Sequence, residues 1–288
     1  MQALMEGSTS DVHNILSSPD YEDYAPALLA AQRIDPLEVR HWLDLFMRYN
    51  VALEEIRTPS IPIAEQTKRG QRGNSTLLLE LIRRGHTEAA MRVWDYYDER
   101  GVDIDVNEAD SDGRSLMFYA CYRWRRNDRS TFLLRLLRAG AEVSVRDYEG
   151  VTPLITACRA GNLTACLMLF NQNTSYSTDE GYNWARDPAY EGYAMTAVNE
   201  ADASGLTPLW YAVLSENVMI CDFLLKMGAS VNQVCYRGRT ALHLAVRISK
   251  HKKLDIFRVL MGLGKANPLL RDEKGNTAFD YAVMKVFY

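Results

Sequence analysis

Residues 147–170 impose the strongest constraint on how this chain of 288 residues can fold. Asp147 begins a turn, and Thr152 with Pro153 then marks a helix start, because a threonine hydroxyl caps a helix and proline fits its first turn. Gly161 ends this short helix. The apolar stripe of a second helix follows, formed by Leu163, Cys166, Leu167, Leu169 and Phe170. Since one such hairpin cannot bury its own apolar faces, the stretch predicts similar hairpins on both sides.

Helix-opening threonine or serine residues recur along the chain. They are Thr76, Ser115, Thr152, Thr207, Thr240 and Thr277, with separations of 39, 37, 55, 33 and 37 residues. The T-P-L opening, the small residues and the closing glycine of the 147–170 unit resemble the ankyrin repeat, whose period is about 33 residues. The resemblance implies an all-α solenoid of helix-turn-helix units with β-hairpin-like connections. It covers residues 74–288, with repeats that start near residues 74, 110, 147, 202, 235 and 272.

The N-terminal residues 1–56 fit this pattern only weakly. Pro26 and the alanine pair after it suggest a degenerate first helix, and a second helix is expected from Asp35. Its buried face would consist of Val39, Trp42, Leu43, Phe46 and Met47. Either this region holds one or two degenerate repeats, or it is an unrelated helical cap over the end of the array. Residues 57–73, with two prolines among glycines, serines and charges, are predicted to be a linker loop.

Two segments depart from the repeat pattern. Residues 122–129 lengthen the second repeat and are basic and aromatic. Residues 171–198 form an insertion, because the step of 55 exceeds the repeat period by about 22 residues. The aromatic residues of this insertion are Tyr176, Tyr182, Trp184, Tyr190 and Tyr193. A flexible linker has little use for aromatics, so we expect an ordered loop that packs on the array or on a partner.

Composition excludes several classes of protein. A hydrophobic content of 47 % and a charged content of 24 % fit a folded chain, and a net charge of −4 argues against a dedicated nucleic-acid binder. No apolar run approaches the roughly 18 residues of a membrane span, and residues 1–10 do not resemble a signal peptide. The five cysteines contain no C-x-x-C pair, which argues against a disulfide framework or zinc site. We therefore expect a soluble cytoplasmic protein, with the nucleus as an alternative.

The sequence offers little for catalysis. His86 and His243 fall on positions that are structural in ankyrin repeats, and no catalytic, phosphate-binding or metal-binding motif occurs. One aspartate recurs in four of the repeats: Asp110, Asp147, Asp202 and Asp272. Their spacing is better explained by turn formation than by paired catalytic acids. We predict no enzymatic activity, no cofactor and no bound metal.

Ankyrin repeats generally bind partners on the concave side, through the hairpin tips and the inner helices, and the resemblance implies the same here. The candidate contact residues on these positions are Arg83, Arg84, Tyr119, Tyr122, Arg123, Trp124, Tyr148, Arg159, Tyr211, Arg239 and Arg247. Arginine and tyrosine suit interfaces, and such a groove favours a partner with carboxylates and apolar groups. In the alternative interpretation, the arginine stems simply cover apolar neighbours.

Three hypotheses for function follow from this surface. The first is a protein-interaction module that binds a protein or peptide without catalysis. The second is a small-molecule-binding or catalytic protein, whose pocket would lie between the insertion 171–198 and the groove; Tyr182, Trp184, Tyr190 and Tyr193 would then line it. The third is a structural spacer. Either the natural chain continues beyond Tyr288, or Phe287 and Tyr288 fold back as a cap.

Overall fold

The computed structural model describes residues 76–122, 129–170, 198–235, 237–248 and 255–287, with five helical positions between residues 39 and 47. The chain divides into two compact units. The first comprises residues 1–120 and 124–141, and the second comprises residues 121–123 and 142–288. Within the described residues the secondary structure is helical, apart from two isolated antiparallel bridges, Ala109 with Ser115 and Arg271 with Thr277.

The first unit contains two helical pairs. Helices α1 (Leu77–Arg84) and α2 (Thr87–Glu99) pack as an antiparallel hairpin, and α3 (Leu116–Cys121) and α4 (Arg129–Arg138) form the next pair. The last residue of α3 belongs to the second unit. In each pair we call the first helix the inner helix and the second the outer helix.

The second unit continues the same pattern. Its inner helices are α5 (Pro153–Ala160), α7 (Pro208–Leu214), α9 (Ala241–Ile248) and α11 (Ala278–Phe287). Its outer helices are α6 (Leu163–Leu169), α8 (Val218–Lys226) and α10 (Asp255–Gly262). Consecutive inner helices contact each other, as do consecutive outer helices. The apolar core therefore runs between two stacked rows of helices.

The recurring threonine and serine residues predict the inner helices correctly. Each of the six inner helices begins at the residue that follows one of them. In the central repeat the Thr152 hydroxyl accepts a hydrogen bond from the Ile155 amide at 3.2 Å, and Gly161 ends the helix with a φ of 67°. Thr76 and Thr207 cap their helices in the same way. These caps satisfy amide groups that a helix start leaves without a partner.

The buried face of the outer helix in the central repeat differs from the face that its sequence predicts. Cys166, Leu169 and Phe170 are buried as expected, whereas Leu163 and Leu167 are only half-buried. Ala165 and Met168 are buried instead. The reason is that an outer helix contacts both its own inner helix and the neighbouring outer helices, so that a single stripe understates its buried face.

The recurring aspartates shape the hairpin turns, as predicted. One carboxylate oxygen of Asp147 accepts hydrogen bonds from the amides of Glu149 and Val151, at 2.9 and 2.8 Å. The same two bonds, to the second and fourth following residues, recur at Asp110, Asp202 and Asp272. Each turn therefore keeps one shape, which fixes the hairpin tip relative to its inner helix.

Backbone hydrogen bonds connect neighbouring hairpin tips in the second unit. The Ala203 amide donates to the Glu149 carbonyl at 2.9 Å, and the Glu273 amide donates to the Arg237 carbonyl at 3.1 Å. A glycine with positive φ stands beside each bond, Gly150 in the first case. These two pairs of neighbouring hairpins are therefore joined at their tips as well as through their helices.

The helical residues between positions 39 and 47 lie along helix α2. Val39 and Leu43 are buried, in agreement with the predicted helix, whereas Trp42 and Phe46 lie outside the described residues. Arg40 forms an ion pair with Glu88, and Asp44 with Arg92. Both pairs join residues 48 positions apart, so the two helices run parallel. Both a degenerate repeat and a helical cap over the end of the array stay predictions for this region.

The last inner helix, α11, exposes positions that are buried in the other repeats. The second residue after the helix-opening residue is almost fully buried in five repeats, as at Leu154 and Leu242, but Phe279 in α11 is 48 % exposed. Val283 is 56 % exposed, although its counterparts Cys158 and Val213 are fully buried. The apolar face of α11 is therefore partly open to solvent.

Ser115 differs from the other helix-opening residues, since its hydroxyl is buried and has no hydrogen-bond partner among the described residues. We expect Ser115→Ala to change the free energy of unfolding by less than about 0.5 kcal/mol, because no cap is lost. Thr152→Val, which removes a capping hydroxyl at nearly constant volume, is expected to cost about 1 kcal/mol. Urea denaturation of both variants measures the difference, and equal losses would contradict the assignment of the caps.

Candidate functional site

The inner helices of the second unit present one equivalent position in each repeat, seven residues after the helix-opening residue. These four residues, which we call the inner-helix face, are Arg159, Leu214, Arg247 and Met284. All four are exposed, with Leu214 at 48 % and Met284 at 46 %. Because the four helices contact one another in order, these side chains form a row in which cationic and apolar groups alternate.

Arg159 lies at the C-terminal end of α5 and is exposed. Among the described residues it forms neither a hydrogen bond nor an ion pair. Its guanidinium acts electrostatically on the Tyr211 phenol in the next repeat. Arg159 is one of the predicted contact residues, and the structure places its charge at the surface without a carboxylate partner in the described residues.

The predicted tyrosine contacts have partners inside their repeats. The Tyr211 hydroxyl donates to the second carboxylate oxygen of Asp202 at 2.6 Å, and Tyr119 donates to Asp110 in the same way. Burial, followed by the hydrogen bond to the aspartate, raises the pKa of each phenol well above its ordinary range. These hydroxyls therefore remain protonated donors. Tyr211 is also buried, so that it supports the hairpin turn more than it extends the surface.

Arg239 also has partners within the fold. Its guanidinium contacts Asp272 at 3.4 Å and donates to the Tyr281 hydroxyl at 3.0 Å, while Tyr281 itself donates to Asp272 at 2.5 Å. Burial disfavours the charged carboxylate, but the bonds from Tyr281, from the amides of Asn276 and Lys274 and from Arg239 outweigh it and lower the pKa of Asp272 to about 2. With a side chain that is 14 % exposed, Arg239 mainly joins two neighbouring repeats.

In the first unit the predicted arginine contacts hold a buried carboxylate. Glu80 is 1 % exposed, and Arg83 binds one of its oxygens at 2.6 Å while Arg84 binds the other at 2.5 Å. Glu80 stands where Tyr119 and Tyr211 stand in other repeats. Arg83 and Arg84 are themselves partly exposed. They therefore have a structural role, whether or not they also contact a partner.

The remaining candidate residues differ in how far the structure describes them. Tyr148 at a hairpin tip is 75 % exposed, and Tyr122 is 46 % exposed. Arg247 is exposed on α9. Arg123, Trp124 and the insertion residues Tyr182, Trp184, Tyr190 and Tyr193 lie outside the described residues. Their proposed contacts, and the pocket beneath the insertion, stay predictions.

Leu214 and Met284 are absent from the predicted contact residues. Both occupy the same repeat position as Arg159 and Arg247. Counting seven residues from each helix-opening residue identifies them in the sequence alone, but selection by residue type favoured arginine and tyrosine over the aliphatic side chains.

The other reactive side chains are mostly enclosed. All five cysteines are free thiols, and Cys121, Cys158, Cys166 and Cys221 are buried. The sulfur atoms of Cys158 and Cys166 lie 3.8 Å apart, and burial raises the pKa of Cys158 well above its usual value. Across the residues placed by the structure, no cluster of three or more His, Cys, Asp or Glu side chains could hold a metal ion. None of the helices described combines the length and apolar content that crossing a bilayer requires.

Comparison with known proteins identifies the repeat. A family model described as ankyrin repeats, in three copies, matches residues 125–235 and 191–272, which together cover just over half of the chain. Ankyrin repeat protein L371 of Acanthamoeba polyphaga mimivirus is 26 % identical over 190 residues, which is 65 % of this chain and 22 % of that protein. Human ankyrin repeat domain-containing protein 63 is 26 % identical over 178 residues, or 60 % of this chain and 40 % of that protein.

Inversin of Mus musculus shows a higher identity over a shorter stretch, 39 % over 74 residues, which is 26 % of this chain and 7 % of inversin. The chain spans less than half the length of each of these three relatives. The stacked helical pairs, their caps and their turns agree with the family match, and the all-α fold class predicted from the sequence is confirmed. The chain belongs to the ankyrin repeat family.

Proposed function

We propose that this chain is a protein-interaction module, without catalytic activity, that binds a protein or peptide carrying carboxylates and apolar groups on the inner-helix face of its second unit. Ankyrin repeats generally mediate protein–protein interaction. The observation that carries the proposal is Arg159, an exposed cation with no ion pair to a described residue. An arginine in this state can give its forked donors to a partner carboxylate without breaking a bond in the fold.

Three other exposed residues of the second unit support the same proposal. Leu214 places exposed apolar surface on the next repeat, and Arg247 places a second cation on the repeat after that. Tyr148 adds a highly exposed aromatic ring at a hairpin tip. Interfaces that combine arginine, tyrosine and apolar contacts are typical of protein recognition.

The test begins with an unbiased selection of binders. Random peptides displayed on phage are selected on the full chain, and the enriched peptides are then measured against the variant Arg159→Glu/Arg247→Glu. We expect each reversal to weaken binding about tenfold, and both together about a hundredfold, because a charge-assisted hydrogen bond is worth about 1.5–3 kcal/mol. The thermal midpoint of Arg159→Glu alone is expected to stay within about 2 °C, since Arg159 is exposed and has no ion pair to a described residue.

A matched variant separates local recognition from net charge. Lys226→Glu/Arg258→Glu changes the charge by the same amount on the outer helices α8 and α10. Both residues are exposed, and among the described residues each forms an ion pair only with an acidic neighbour on its own helix. We expect this variant to retain binding. Equal losses in the two variants, or no loss in either, would disprove recognition through the inner-helix face.

A further inference from the structure

The alternation of cationic and apolar side chains along the inner-helix face restricts the conformation of a partner that binds there. Arg159, Leu214, Arg247 and Met284 occur in this order on four contacting helices. Packed helices lie about 8–10 Å apart. A partner that follows the row therefore meets a cation, an apolar group, a second cation and a second apolar group at steps of about that length.

A polyproline II segment reproduces these steps. It has three residues per turn and a rise of about 3.1 Å per residue, so every third side chain returns to the same face after about 9 Å. A β-strand does not, because its residues three apart point to opposite faces. In an α-helix, residues seven apart lie on one face at a distance close to the step of the row. An α-helix would therefore need about 22 residues to contact all four positions.

We propose that the inner-helix face binds an extended polyproline II segment in which acidic and aliphatic side chains alternate at every third residue. This inference rests on the proposed function and names its partner. Acidic side chains of the segment pair with Arg159 and Arg247, and aliphatic side chains cover Leu214 and Met284. A segment of ten residues is long enough to contact all four.

Charge and burial favour this assignment over a uniformly acidic ligand. The exposed aliphatic groups of Leu214 and Met284 gain nothing from a carboxylate, whereas burying a carboxylate against them costs free energy. A uniformly apolar ligand would instead leave the Arg159 guanidinium without an acceptor. The row therefore favours a ligand in which acidic and aliphatic side chains alternate, and not only one that contains both kinds.

The experiment uses synthetic peptides and the full chain, with binding followed by fluorescence anisotropy. The test peptide has the sequence EPPLPPEPPL, and its reverse, LPPEPPLPPE, covers the opposite chain direction. The matched control, EEPPPPPPLL, has the same composition but lacks the spacing. We expect one of the two spaced peptides to bind at least about tenfold more tightly than the control. Equal affinities, or the absence of measurable binding by either spaced peptide, would overturn the proposal.

Two variants test the register. Leu214→Glu is expected to weaken the spaced peptide at least about tenfold, since it places a carboxylate opposite an aliphatic side chain. Arg159→Glu/Arg247→Glu is expected to lose the acidic peptide and to bind KPPLPPKPPL, or its reverse, in its place. Failure of this charge exchange would also overturn the proposal. Circular dichroism confirms that each variant is folded.

The two levels of the proposal fail in different ways. If peptides selected from the random library still depend on Arg159 and Arg247 while the spaced peptides do not bind, the polyproline II inference is wrong and the interaction face stands. If the selected peptides ignore both arginines, the interaction face itself is wrong. Library peptides that depend on the arginines but form helices in the complex would identify the α-helical mode and exclude the extended one.

Discussion

Gly150→Ala is expected to lower the free energy of unfolding of the second unit by about 3 kcal/mol or more, although the substitution adds only one methyl group. Gly150 has a φ of 73°, and a Cβ atom at this position would lie 2.9 Å from the Ala203 amide nitrogen. That nitrogen donates to the Glu149 carbonyl of the adjacent tip. The added methyl therefore strains its own turn and also forces two hairpins apart. Urea denaturation at equilibrium measures the loss.

Gly275→Ala is the matched control for this prediction. Gly275 occupies the same position in its turn, three residues after an aspartate, and has a φ of 78°, but no atom lies within 4 Å of the position of its Cβ. We expect it to cost about 1 kcal/mol, the price of a left-handed conformation alone. If both variants lost the same stability, the prediction that the close approach of the tips requires a glycine at position 150 would be wrong.

Arg83→Glu is expected to destabilise the first unit by about 3 kcal/mol. The substitution removes the guanidinium that binds one oxygen of Glu80, a side chain that is 1 % exposed, and brings a second carboxylate toward it. Leaving a buried charge without its partner costs about 3–5 kcal/mol. We choose the lower value because Arg84 still binds the other oxygen and because Arg83 is partly exposed.

Arg159→Glu provides the comparison, because Arg159 occupies the same position of its inner helix as Arg83. In the central repeat the residue that corresponds to Glu80 is Thr156. No buried carboxylate therefore loses an ion-pair partner when Arg159 is replaced. We expect less than about 0.5 kcal/mol here. Comparable losses at both positions would contradict the structural role of the Glu80 cluster.

This contrast affects how binding is tested. Charge reversal at Arg83 or Arg84 would reduce binding through loss of structure, even if neither residue touched a partner. Reversal at Arg159 avoids that ambiguity, since Arg159 is exposed and has no ion pair to a described residue. Recognition and folding can therefore be separated within one set of arginines.

The repeat architecture could be predicted from local chemistry. Thr152, Pro153 and Gly161 act within a few residues of themselves, as a cap, a first-turn residue and a left-handed helix end. Asp147 likewise shapes its turn through amides two and four residues away. Such signals depend on short stretches of backbone, and their repetition identifies the starts of the six inner helices to the residue.

The roles of the tyrosines and of several arginines could not be predicted in the same way. The place of Tyr211 on its helix predicts a surface contact, yet its hydroxyl donates a hydrogen bond to Asp202, nine residues earlier. This contact depends on how the hairpin turn packs against the helix, which the spacing of apolar residues along the helix does not predict. The same spacing recurs from Asp110 to Tyr119 and from Asp272 to Tyr281, so the recurrence itself was the available signal.

The hydrogen bonds between hairpin tips also bear on the thermodynamics of association. The bonds from Ala203 to Glu149 and from Glu273 to Arg237 restrict the tips before any partner arrives. A surface that is already ordered loses little conformational entropy on binding, and this loss is one of the main costs of association. The free energy of each contact then appears almost undiminished in the affinity. Short peptides can therefore be held by few side chains, provided that the peptides are themselves rigid.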